Sequence, residues 1–144
     1  MTRTGSSKRV DAGYALGRLR KAAAFQEAAA VLAEQLDRIH DADVIYANVV
    51  LALIAYTDAI TAAFANVVNQ KDHAAAAKLL RDTLGKALPD AQERRLIRLI
   101  GRKDEMSYGA RIGRSDDIQQ ALGNLEEFAA WAREKLTERG VTLP

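Results

Sequence analysis

Apolar side chains recur every third or fourth residue through nearly the whole chain, and no segment alternates apolar with polar in the way a half-buried strand would. Only two prolines interrupt 144 residues, so most of the chain can stay helical. The stripe Tyr14, Phe25, Ala29, Leu32, Leu36 and Ile39 predicts a first helix from Asp11, a capping residue, to about Ile39. Asp41 predicts the cap of a second helix reaching about Asn69, apolar on nearly all sides and therefore central. A short third helix follows from Asp72 to Leu84, with Gly85 suited to the reversed conformation of a helix end. Pro89 and Asp90 open a fourth that runs to about Tyr108. Ser115, Asp116 and Asp117 open a fifth, whose stripe is Ile118, Leu122, Leu125, Ala129, Ala132 and Leu136, closed by Gly140. Short links between long helices favour antiparallel neighbours, so the expected fold is all-α: an up-down bundle of four main helices plus a short one. Residues 1 to 10 read as a disordered basic arm, 11 to 140 as a single domain and 141 to 144 as a tail.

Composition removes several kinds of chemistry. There is no cysteine, hence no disulfide, thiol nucleophile or zinc ribbon, and two histidines, His40 and His73, offer little to a metal centre. No metal and no cofactor is expected. With no thiol, a reducing cytoplasm is the expected compartment; the longest apolar stretch, Val44 to Tyr56, is short for a bilayer and is soon followed by Asp58, so it reads as a buried helix with no membrane partner. The net charge of +2 hides an uneven distribution: residues 1–21 and 94–114 each carry +5, while 22–93 carry −5 and 115–144 carry −3. Two basic blocks that converged in space could hold phosphate groups; apart, they are hydrated surfaces.

Helical spacing, at about 100° per residue, picks out polar groups on apolar faces. Lys103 falls on the inward stripe of Leu96, Leu99 and Ile100, whereas Arg94, Arg98, Arg102 and Glu105 fall opposite. A buried ammonium needs an acid, and Asp58, beside Leu51, Ile54, Ala62 and Ala65 on the second helix, is the expected partner, as a structural pair or as part of a site. Arg18 and Lys21 lie on the stripe between Tyr14 and Phe25, and His73 aligns with Ala76, Ala77, Leu80 and Leu84. Tyr108 closes the fourth helix, where its hydroxyl could join the same network. Trp131 stands off the fifth helix's stripe and is a candidate interface residue. The candidate ligand-binding set is therefore Arg18, Lys21, Asp58, His73, Lys103 and Tyr108.

Four segments in this order, RLRKAAAFQEAAAVL, NVVLALIAYTDAITAA, KDHAAAAKLLRDTL and LIRLIGRKDEMSYG, resemble the HEPN superfamily of small helical domains, over roughly residues 14 to 136. The resemblance implies an up-down bundle, commonly a homodimer, in a bacterial toxin–antitoxin or defence setting, with a cognate nucleotidyltransferase or antitoxin as a further partner. Nuclease members carry an Arg followed after four to six residues by His. Here no histidine follows Arg102, and neither His40 nor His73 has an arginine at the required distance before it. Ribonuclease activity is accordingly not carried over and no catalytic residue is assigned. The expected function is a noncatalytic dimeric module that binds RNA, a nucleotide or a protein partner. The alternatives are a divergent ribonuclease or nucleotide-modifying enzyme, with His73 as base beside Arg102 or Lys103, and a purely structural interaction protein.

Overall fold

The computed structural model describes residues 7–35, 42–108 and 115–144, with side chains described outside 103–108 and 115–116. Among these residues the chain forms an all-α bundle of five helices with one two-stranded ribbon. The order is β1 (Ser7–Arg9), α1 (Tyr14–Glu34), α2 (Asp43–Ala65), β2 (Val67–Asn69), α3 (Ala75–Leu84), α4 (Asp90–Tyr108) and α5 (Ser115–Thr137), with a 3-10 turn at Gly85–Ala87. Expected helix ends such as Leu36, Ile39, His40 and Asp41 lie outside the described residues.

Burial explains why α2 is the axis. Ala52 through Ala62 are buried without interruption, and every other helix packs against α2. This 23-residue helix is long and apolar enough to cross a membrane, but most of it is covered by its neighbours, as in the core helix of a bundle. Ala15, Leu19, Ala22 and Ala29 of α1 are buried, and their small side chains permit a close and extensive α1–α2 contact. Leu96, Leu99 and Ile100 of α4 are buried, as are Ile118, Leu125, Ala129, Ala132 and Leu136 of α5. Those two stripes were legible from spacing alone.

The second helix stops short of its expected end. Asn66 adopts the left-handed conformation (φ 56°), one that asparagine tolerates better than most residues, and its N–H bonds to Ala62 O at 3.0 Å. Val67–Asn69 then pairs antiparallel with Ser7–Arg9, and Val10 N–H bonds to Asn66 O at 2.9 Å. Part of the segment expected to be a disordered arm is thus a strand. Buried Val68, with Ala15 and Ala62, forms the small apolar cluster that anchors the ribbon.

The α3–α4 turn is tied by Arg81. Its guanidinium donates to the carbonyls of Gly85 (2.6 Å) and Leu88 (3.2 Å) and to the carboxylates of Glu93 (2.7 Å) and Asp90 (3.2 Å). Gly85, at φ 55° and ψ −126°, occupies a region that side-chain-bearing residues avoid.

Candidate functional site

Asp58 is 7% exposed in the most apolar helix of the chain, so its carboxylate needs a partner. That partner is Arg18, whose Nη2 lies 3.1 Å from Asp58 Oδ2. Lys8, carried in by β1, adds a second positive charge that acts on Asp58, and its Nζ sits 5.7 Å from the centre of the Tyr14 ring. Burial nevertheless dominates: it pushes the Asp58 carboxyl up to about 6, against the opposing pull of Arg18 and then Lys8. Arg18 Nε is buried without a hydrogen-bond partner, and so is Thr57 Oγ1 next to Asp58 in sequence. The ion pair is therefore polar matter in a site that satisfies it incompletely.

The same stretch of chain carries further exposed cations. Arg9 on β1 and Arg20 and Lys21 on α1 are exposed and enter no ion pair among the described residues. Asp11, the acid nearest in sequence, is occupied locally, its Oδ1 accepting from Gly13 N–H at 3.0 Å. The ribbon holds β1 against β2 and leaves Lys8 beside Tyr14 at the start of α1. Lys21 was expected on the packed stripe. It is instead exposed, because α1 turns Ala15, Leu19, Ala22 and Ala29 inward and leaves the Tyr14–Phe25 line on the flank.

No described contact brings the other candidates to this pair. His73 is exposed in the turn before α3, not on its packed face, because the helix begins only at Ala75; Asp72 Oδ1 accepts from Ala75 N–H at 3.2 Å, so the capping role of that aspartate holds. The expected Lys103–Asp58 pair falls on a side chain outside the described residues; the described partner of Asp58 is Arg18. Lys103 and Tyr108 lie in α4, and their side chains are outside the described residues. Trp131 does not stand apart: it is half-buried and packs edge-on against buried Phe128, ring centres 5.4 Å apart at 63°.

The second basic block makes a different cluster. Arg102, expected on the outward side with Arg94 and Arg98, is half-buried and 3.1 Å from Asp117 of α5. Arg95 Nε donates to Asn124 Oδ1 at 3.2 Å. With Tyr46 and Gln120, Arg102 and Asp117 border a cavity of only about 20 Å³, room for about one water. Arg94 and Arg98 remain exposed. The two blocks thus serve separate clusters among the described residues.

Sequence reasoning missed Lys8, which was assigned to the arm, and the buried hydroxyl of Tyr56, which donates to Gln26 Oε1 at 2.5 Å and accepts from Arg133 Nη2 at 2.9 Å. Tyr56 had a signal: a phenol within a continuous apolar run must find a polar partner. No group of three or more metal-ligating side chains exists among the described residues. The chain matches no family model, no curated protein and no solved structure.

Proposed function

We propose that this chain is a HEPN-like, noncatalytic binding module that recognises the phosphates of RNA or a nucleotide and acts as a homodimer. The observation that carries the reading is the β1–β2 ribbon, which holds Lys8 beside Tyr14 at the start of α1, in the same basic stretch of chain as Arg9, Arg18, Arg20 and Lys21. Five cations lie within residues 8–21; Lys8 and Arg18 act on the buried carboxylate of Asp58, which is paired with Arg18, and Arg9, Arg20 and Lys21 are exposed. Such a surface attracts phosphate chains without needing a base or a metal. The dimer belongs to the same reading, with Val44 (51% exposed) and Leu51 (38% exposed), two turns apart on α2, as the apolar contacts a second subunit would cover. The enzyme reading gains no support from placement: Arg102 is committed to Asp117, and His73 sits in an exposed turn.

The test is fluorescence anisotropy of a labelled single-stranded RNA over a range of salt. Three to five phosphate contacts give a slope of log K against log salt of about −2 to −4. Arg20→Ala with Lys21→Ala, both exposed and so neutral for folding, should flatten that slope by about 1 to 1.5. Binding that ignores salt, or no binding, rejects the proposal.

A further inference from the structure

A cavity of about 290 Å³ opens where the chain's last residues fold back on the bundle, lined by Leu19, Arg133, Thr137, Val141, Thr142 and Leu143. The fold-back has a clear cause. After α5, Gly140 takes a left-handed conformation (φ 72°) and Val141 N–H bonds to Leu136 O at 3.0 Å, the reversal that commonly closes a helix. Val141 and Leu143 then pack against the core and wall the cavity opposite Leu19 of α1.

Arg133 is the unusual member of the lining. Its head is tethered by the Tyr56 hydroxyl at 2.9 Å and lies 5.8 Å from the centre of that ring, while Tyr56 is itself fixed by its bond to Gln26. This chain across α1, α2 and α5 aims the guanidinium without neutralising it. Burial pushes the Tyr56 phenol up, outweighing the opposing effect of Arg133, so it stays un-ionised at neutral pH. The helical neighbours that could supply a carboxylate, three and four residues away, are Ala129, Ala130, Leu136 and Thr137. Arg133 enters no ion pair among the described residues, whereas Lys135 on the same helix pairs with Glu138. An oriented cation with most of its N–H groups uncommitted thus faces a small space with aliphatic walls and two threonines.

We propose that this cavity binds a small aliphatic carboxylate, the fork of Arg133 pairing with the carboxylate while Leu19, Val141 and Leu143 cover the alkyl chain. The planar fork suits two carboxylate oxygens. A single guanidinium matches a singly charged head better than a phosphate dianion. The volume lies at the lower end of those that hold small ligands, which selects a short or medium chain. This site is independent of the basic patch on β1 and α1.

Octanoate is the probe and 1-octanol its neutral control, each titrated into the full chain labelled with ¹⁵N. Octanoate should shift the amides of residues 19, 133, 137 and 141–143 with a Kd on the order of 0.1 to 1 mM. Octanol should bind at least about tenfold more weakly at the same place, tenfold being the usual scale of one charge-assisted pairing. Arg133→Gln should bring octanoate down to the level of octanol and leave octanol unchanged. Should that variant unfold, the octanoate-to-octanol ratio on the unmodified protein decides alone. Equal affinities, shifts lying elsewhere, or no shifts would overturn the assignment.

Discussion

Replacing Asp58 by asparagine isolates the strongest electrostatic perturbation in the described residues. A carboxyl that ionises near 3.8 in an open chain but at about 6 in the bundle holds its proton more tightly folded than unfolded. Two pH units at 1.36 kcal/mol each make that preference about 3 kcal/mol. The sign follows directly. The stabilising preference is fully present below pH 3.8, is eroded as pH rises, and is gone once pH has passed the folded value near 6. Asp58→Asn removes the titration while keeping the side chain's shape, so the other carboxylates cancel when wild type and variant are compared. Urea unfolding followed by circular dichroism at pH 4, 5, 6 and 7.5 gives that comparison. The stability of the wild type minus that of Asp58→Asn should fall by about 2 to 3 kcal/mol between pH 4 and 7.5, most of it before pH 6.5. A flat difference would show that Arg18 and Lys8 balance burial, and one that rises with pH that they outweigh it; either result would overturn burial as the dominant influence on Asp58.

Gly101 lies inside α4 with nothing within 4 Å of where a Cβ would stand, so Gly101→Ala should raise stability by about 1 kcal/mol, read from the urea midpoint at unchanged slope. Tyr56→Phe removes the hydroxyl that links Gln26 to Arg133 and should cost roughly 1 to 2 kcal/mol in the same assay. Arg81 holds the Glu93 carboxyl below the usual range, chiefly through its hydrogen bonds. The stability this contributes is present above the ordinary glutamate pKa and fades as pH falls through the lowered value; Arg81→Ala should lower Tm at pH 7 and by less at pH 3, measured by calorimetry.

The helical stripes of α4 and α5 were legible because period 3.6 repeats over several turns and each repeat adds information. The caps at Asp72 and Pro89–Asp90 were legible because their chemistry is local. The ribbon was not: three residues are too few for a period of two to show, and its register depends on Asn66 reversing the chain and on Val68 finding Ala15 and Ala62. Asp58 was recognisable as a buried charge, but the partner expected from spacing was Lys103 of α4, whereas the described one is Arg18 of α1. On α1 itself, less than a quarter turn separates Arg18, which meets Asp58, from Lys21, which is exposed. Arg102, placed outward by spacing, likewise meets an acid on a neighbouring helix, Asp117 of α5. Spacing marks the group that is out of place; only packing names what satisfies it.

Ultraviolet cross-linking of a single-stranded RNA to the full chain, with the linked peptides identified by mass spectrometry, tests most directly whether the ribbon and the start of α1 form the binding surface. Adducts are expected within residues 7–21. Adducts confined to the exposed Arg94 and Arg98 face of α4, or none at low salt, would contradict it.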